Sequence, residues 1–412
     1  MKISILTLGC RTNQAESLYL QRILCQKGHH IVNLSENPDF CIVNTCSVTA
    51  EAERQSRQLI NKTLKKGSKV LVTGCYSELY FDRLAKKYDN LIFIKNEQKS
   101  NIINMFNHNT SEITKRINFY LERHRPIIKI QEGCNYSCSY CTIPLTRGKQ
   151  KSIDAGKIID EIKYFEENGF KEIVLTGTHL GTYGNDLIPK SKLSMLLKEI
   201  LNKTNISRIR LSSLDINEID EELLEIISHD RVCRHLHIPL QSGDDHILKL
   251  MNRRYTFSMF KTGIDRIIKK LPDISIGTDI IVGFPQETVQ HFENTKKVIE
   301  LMPFSYIHVF PFSKRPNTEA SSFNGQIPDD IKRYRVSEIR NLGNEKKLKY
   351  INRFIGKTLD VLVEESREGY FLGTAGNYIK VLIDERYDIP IGEIVNVRVV
   401  SIKNLFAIGN PE

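Results

Sequence analysis

Short apolar runs and helix-like stretches alternate along most of the chain, and this alternation limits the possible folds more than any other feature of the sequence. In the first 110 residues the runs are "KISILTL", "DFCIVNT", "SKVLVTG" and "LIFIK", separated by stretches such as "NQAESLYLQRILCQKG" and "TAEAERQSRQLINKTLKK". Runs this short read as buried strands, and the stretches between them can form crossover helices, so an α/β domain on a parallel sheet is predicted. After the polar, basic stretch "HNTSEITKRINFYLERHRP" the alternation resumes with "IIKIQ", "KEIVLTG", "SRIRLSS", "RHLHIPL", "SIGTDIIVGF" and "FSYIHVFPF". Six strand-helix units are too few for a closed eightfold barrel but suit a partial barrel open on one side, with its active groups at the carboxyl ends of the strands.

A chain of 412 residues is long enough for two or three domains. The opening "MKISILTLGC" has no signal-peptide cleavage pattern, and no apolar run reaches membrane-spanning length. A cytoplasmic protein with no membrane partner is expected. Nine cysteines are an odd count, and thiols stay reduced in that compartment, so metal ligation is a better use for them than a disulfide framework. Cys25 lies in a helical pattern, Cys41 starts an apolar strand and Cys233 precedes one, which suits small core residues.

The other six fall into two sets. Cys10, Cys46 and Cys75, in "LGCRTN", "NTCSVT" and "TGCYSE", follow the carboxyl ends of three different strands. That edge of a parallel sheet is where loops converge on ligands. Thiolates select soft or borderline metals, so zinc and iron–sulfur clusters are both candidates, although a structural zinc normally closes its shell with four ligands. The second set is Cys134, Cys138 and Cys141 in "QEGCNYSCSYCTIPLTRGK", directly after the first strand of the second series. No further cysteine pair follows at zinc-ribbon spacing. Three cysteines in one short loop can hold three corners of a four-iron cube and leave the fourth iron for a substrate.

The C-x3-C-x2-C spacing, with aromatic Tyr140 before the last cysteine, resembles the signature of radical S-adenosylmethionine enzymes. With Cys10, Cys46 and Cys75 added, the chain resembles the methylthiotransferases over essentially its whole length. "NTCSVT", "VTGCYSE", "KIQEGC" and "HLHIPLQSG" are most similar to the branch acting on threonylcarbamoyladenosine in tRNA. Arg11 and Thr12 stand where that branch usually has Lys and Val, and Leu145 and Thr146 where it often has Trp and Ala. The resemblance implies two 4Fe-4S clusters, S-adenosylmethionine and a tRNA anticodon stem-loop substrate. It also implies a residue layout of 1–115 for an amino-terminal methylthiotransferase domain, 123–350 for the radical domain and 354–412 for a TRAM domain. One S-adenosylmethionine would methylate a sulfur at the amino-terminal cluster. A second, cleaved at the Cys134, Cys138 and Cys141 cluster, would give the radical that removes hydrogen from carbon 2 of the modified adenine. This chemistry calls for an electron donor and a sulfur donor, neither of which the sequence identifies.

Barrel-edge positions expected near cofactor or substrate are Thr176 and Gly177 at the end of the second strand, Ser213 at the end of the third, and Gln241 and Ser242 after the fourth. Gly283 in "IVGFPQET" is a candidate for exposing its backbone to the cofactor. Phe310 ends the sixth strand, where it can pack on the adenine or fill the barrel.

The net charge of +10 favours a polyanionic partner, and residues 331–353 concentrate it, with eight Lys or Arg against two Glu. The tail from Gly356 carries six Lys or Arg against nine Asp or Glu and alternates like a small antiparallel barrel. Its aromatics Tyr370, Phe371 and Tyr378 are candidates for stacking on bases, with the little barrel's core as the competing place for them. A methylthiotransferase for isopentenyladenosine in tRNA or for a ribosomal-protein aspartate would share every cysteine. A non-catalytic iron–sulfur RNA-binding protein would share the clusters and the tail.

Overall fold

The computed structural model describes residues 1–106 and 124–412. Most of the polar stretch between the first two domains, and with it the expected boundary between residues 115 and 123, lies outside the described residues. Five parallel strands, β1 (Lys2–Thr7), β2 (His30–Ile31), β3 (Phe40–Thr45), β4 (Lys69–Gly74) and β5 (Leu91–Phe93), form the first sheet in the order β2-β1-β3-β4-β5. This is the flavodoxin-like order, in which the direction of connection reverses beside β1. Four strands match the apolar runs; β2, at two residues, is too short to show a period in the sequence. In β3 and β4 alternate side chains serve opposite layers. Phe40, Ile42 and Leu71 pack with Leu20 and Leu24 of helix α1 (Arg11–Gln26). Cys41, Val43, Val70 and Val72 pack with Ile60 of helix α2 (Ala50–Leu64). Coverage of both faces is why these runs read as continuously apolar.

The second series forms six parallel strands: β6 (Ile127–Lys129), β7 (Glu172–Thr176), β8 (Arg208–Leu211), β9 (His235–His237), β10 (Ser275–Val282) and β11 (Tyr306–Pro311). Ladders join β6, β7 and β8, and likewise β9, β10 and β11. Single bridges, Ile209 to Val232 and Ser213 to His237, connect the two groups. The strands therefore follow chain order, as in a partial barrel. Crossover helices start at sequence-local caps: Asp154, Asp220, Thr256 and Thr288 each accept a first-turn backbone N–H. Ile173, Leu175, Ile209, Leu211, Leu236 and Ile276 point toward those helices. The alternate positions, including Glu172, Arg208, Arg210, His235, His237, Asp279 and Tyr306, give the concave face a polar lining.

The tail closes into a five-stranded barrel of β12 (Thr358–Arg367), β13 (Tyr370–Ala375), β14 (Lys380–Asp384), β15 (Ile394–Lys403) and β16 (Phe406–Pro411). It is not wholly antiparallel: β14 pairs with β16 in parallel, which closes the cylinder. The barrel docks on the amino-terminal ends of β7 and β8. Arg208 and Arg210 donate to the carbonyl oxygens of Thr374, Ala375 and Gly376, and Arg125 bridges Glu364 at 2.7 Å. The three aromatics take different places. Phe371 packs against the little barrel's own core, Lys403 lies over the Tyr370 ring, and Tyr378 enters the concave face of the larger barrel, stacked on His235 with ring centroids 4.2 Å apart.

Residues 331–352 lie in the helix Asp329–Asn352, which Arg353 caps, but the charge of this stretch is not uniformly free. Lys346 donates to the carbonyl oxygen of Met302 at 2.9 Å and also to that of Glu300, and Lys347 leans over Phe406. Lys349, Arg333 and Arg340 are exposed. No helix among the described residues is long and apolar enough to cross a membrane.

Candidate functional site

Cys10 precedes α1, Cys46 follows β3 and Cys75 opens the short helix α3 (Cys75–Leu79), so all three stand on one edge of the first sheet. Two glycines make room for them. Gly9 has φ +96°, and a Cβ there would stand 2.5 Å from the Cys46 sulfur; Gly74, at φ +100°, lies against the backbone of Thr45. Asn13 donates to Leu8 O at 2.7 Å and Thr45 O at 2.9 Å, clamping the Cys10 and Cys46 loops together. Burial, reinforced by the neighbouring Cys75 and Cys10, raises the Cys46 thiol to about 11. Ser47 Oγ and Thr73 Oγ1 are buried beside this edge with no hydrogen-bond partner among the described residues.

Cys134, Cys138 and Cys141 share the loop after β6. Cys134 N–H donates to Gly148 O at 3.1 Å, and Cys141 N–H to Cys138 O at 3.0 Å, folding the loop back on itself. Burial raises the Cys141 thiol to about 12, with Cys138 and Cys134 adding to the effect. Two residue pairs that sequence reading missed border this loop. His179 Nδ1 lies 3.3 Å from Cys134 Sγ while its other nitrogen meets Glu218. Burial opposes protonation of His179, but the bonds to Cys134 and Glu218 outweigh it and bring its pKa to about 9. Arg253 stands 3.6 Å from Cys138 Sγ and pairs with Asp215 at 2.6 Å. All nine cysteines are free thiols. Two clustered sets of soft donors, each with cations nearby to hold thiolates, fit thiolate-ligated iron–sulfur groups.

A buried ionic network joins the two sets. Glu16 of α1 meets Arg147 at 2.8 Å and Lys129 at 3.0 Å, and also Lys99; Arg147 in turn reaches Glu132 at 2.7 Å. Burial would raise the Glu16 carboxyl, but Lys99, Arg147 and Lys129 hold it well below the usual range. Three cations against two carboxylates leave a positive balance beside Cys75.

Below this network lies the polar concave face. The hydroxyl of Tyr306 is 2.8 Å from His235 Nε2 and 3.0 Å from His237 Nδ1. Its ring crosses Gly277, where any Cβ would collide with it. Asp279 lies 3.0 Å from His237 Nε2 and 3.4 Å from His308 Nδ1. Arg11, directly after Cys10, reaches in from the first domain and donates to Tyr378 OH at 3.2 Å. All three domains thus contribute to one cleft. The signal for part of it is present in "HLHIPLQSG", since His235 and His237 are two apart on a strand and share a face.

The expected barrel-edge residues divide. Thr176 is buried at the end of β7, Gly177 follows against the side chain of Gln131, Ser213 is exposed beyond β8, and Gln241 sits at φ 69° after β9. Tyr140 packs edge-on to Phe284 at 6.4 Å. Ser242 is fully buried, with its Oγ engaged by Thr295 and by Asp244 N–H, so it serves the following helix. Gly283 does not expose its backbone: its N–H donates to Glu287 at 2.6 Å and Lys332 covers it. Phe310 is 42% exposed and does not fill the barrel.

Residues 128–299 match the Radical SAM superfamily, and residues 2–94 match the family described as Uncharacterized protein family UPF0004. The chain is 37% identical to the threonylcarbamoyladenosine tRNA methylthiotransferase MtaB of Aquifex aeolicus, over 93% of this chain and 100% of that one. It is 34% identical to a tRNA-2-methylthio-N(6)-dimethylallyladenosine synthase of Thermodesulfovibrio yellowstonii, over 97% of this chain and 96% of that one. Among solved structures, the radical S-adenosylmethionine methyltransferase TsrM of Kitasatospora setae shares the fold, with a TM-score of 0.59 at 15% identity, covering 78% of this chain and 75% of that one. Near-full-length identity to these enzymes, with the cysteine loop at the head of a partial barrel, places the protein in one group: the chain belongs to the radical S-adenosylmethionine tRNA methylthiotransferases.

Proposed function

We propose that this enzyme converts N6-threonylcarbamoyladenosine at position 37 of tRNA to its 2-methylthio derivative. The observation that carries this substrate is the chemistry of the cleft. A threonylcarbamoyl group brings a ureido unit, a hydroxyl and a carboxylate, which suit a face built from His235, His237, Tyr306, His308 and Arg11. A dimethylallyl group would offer nothing to the donors of Arg11 that Tyr378 leaves open, and a charged donor left desolvated without a partner is costly.

In this reading Cys134, Cys138 and Cys141 hold the 4Fe-4S cluster that binds S-adenosylmethionine, with Thr176, Gly177, Ser213 and Gln241 at the rim. Cys10, Cys46 and Cys75 hold a second cluster. Bound there, the clusters and S-adenosylmethionine supply the radical and the methylthio sulfur. The chain's own part is to orient. His179 and Arg253 fix the first loop, Asn13 and Gly9 shape the second, and the Glu16 network sets the two in register. The target base leaves its stack to reach the cleft, at a cost of a few kcal/mol that is smaller in an anticodon loop than in a duplex. The carboxy-terminal barrel, as a TRAM domain, and the exposed cations of the preceding helix would carry the surrounding RNA. Reconstituted enzyme should methylthiolate an anticodon stem-loop bearing threonylcarbamoyladenosine in preference to one bearing dimethylallyladenosine, with nucleosides read by mass spectrometry. The reverse preference would overturn the assignment.

A further inference from the structure

Buried or half-buried arginines of this protein meet carboxylates almost as a rule. Arg147 meets Glu16 and Glu132, Arg210 meets Glu172, Arg253 meets Asp215 and Arg315 meets Glu53. Arg11 is half-buried between three domains and has no carboxylate partner among the described residues; its guanidinium donates to the neutral hydroxyl of Tyr378 at 3.2 Å. It is also the first residue of α1, whose first turn carries no acidic side chain. A cation there opposes the helix dipole and gains nothing from it. The carboxylates on the concave face are already engaged, Asp279 by His237 at 3.0 Å and His308 at 3.4 Å, and Glu172 by Arg210 at 2.6 Å.

Two neighbours register this uncompensated charge. Burial lowers the pKa of His235, and Arg210 and Arg11 push it lower still, so the imidazole is neutral. Burial should raise the Tyr378 phenol, yet Arg11, Arg125, Arg210 and Lys380 together bring it below its ordinary value. The cleft therefore holds net positive potential beside a guanidinium with open donors. Such a group binds a carboxylate through paired, charge-assisted hydrogen bonds.

We propose that Arg11 binds the carboxylate at the end of the substrate's N6 side chain and so selects acidic N6-substituted adenosines over apolar ones. This rests on the substrate assignment above and adds to it a specificity-determining residue. Its place beside Cys10 puts the anchor for the side chain next to the sulfur-transfer end of the cleft.

The test compares two stem-loops, one with threonylcarbamoyladenosine and one with its carboxylate capped as the primary amide. Wild-type enzyme should lose about 10- to 100-fold in kcat/KM on the amide, the scale of a charge-assisted hydrogen bond. Arg11→Gln should lose a similar factor on the acid and handle acid and amide alike, while Arg11→Lys should keep part of the preference. Equal wild-type turnover of the two RNAs overturns the proposal, and this comparison decides it even where Arg11→Gln fails to fold. An Arg11→Gln enzyme weakened equally on both RNAs, with the acid preference intact, also overturns it and assigns Arg11 to a phosphate. A wild-type enzyme active on dimethylallyladenosine RNA and inert on the acid removes the substrate assignment itself, and the proposal with it.

Discussion

Arg147 Nη1 donates to Glu16 Oε1 across 2.8 Å, and each residue stands six positions after a cysteine: Arg147 after Cys141 in the barrel loop, Glu16 after Cys10 in the first domain. One buried ion pair thus ties the two cysteine sites together across a domain boundary. Lys99 and Lys129 complete it, so movement of either loop strains a desolvated network. In the proposed reaction both sites address one base, and this contact holds them in fixed relation.

Glu16→Gln should destabilise the protein by about 3–5 kcal/mol, because three buried cations lose the charge that compensates them. Glu16 has a folded-state pKa well below 4.5, so the stability it contributes is present above that value and is lost as pH falls below it. Denaturant melts of wild type should weaken from about pH 4.5 downward, and the Gln variant should show less of that slope. An unchanged slope would exclude Glu16 as a titrating contributor.

Changing Cys134, Cys138 and Cys141 together to Ala should remove about half the iron and abolish formation of 5′-deoxyadenosine, since the two cysteine sets share no ligand. Iron analysis and absorption spectra of the anaerobic protein check this. Complete loss of iron from a folded triple variant would contradict two separate sites.

Changing Cys10, Cys46 and Cys75 to Ala should leave 5′-deoxyadenosine formation measurable while the methylthio product disappears. Product formation by this variant, read by nucleoside mass spectrometry, would place the sulfur elsewhere.

For RNA binding the helix Asp329–Asn352 offers Arg333, Arg340 and Lys349 to solvent, whereas Lys346 is engaged by backbone carbonyls. Neutralising the three exposed residues should weaken tRNA binding and flatten its salt dependence, by roughly 0.7–0.9 in the log–log slope for each phosphate that no longer meets a cation. Lys346→Met should instead lower thermal stability with little change in that slope. Salt titrations of tRNA affinity distinguish the two, and equal slopes for wild type and the triple variant would make this helix face a solvated surface only.

Periodicity and turn chemistry determined the layered plan of this protein by themselves. Apolar runs too short for helices had to be strands, crossover stretches made them parallel, and Cys10, Cys46 and Cys75 consequently shared one sheet edge although 35 and 28 residues intervene between them in sequence. Local spacing likewise marked Cys134, Cys138 and Cys141, because a single short loop must hold its three sulfurs close together. Partnerships between distant polar groups followed no such period. Gly283 reads as an exposed turn in the sequence, but Glu287 and Lys332 close over it; Tyr378 reads as a surface aromatic, but docking of the small barrel sets it against His235. The same holds for Arg147 with Glu16 and Arg11 with Tyr378, pairs 131 and 367 residues apart. Such contacts depend on how three domains pack, and a buried charge takes whichever partner that packing brings within reach, which no stretch of sequence encodes locally.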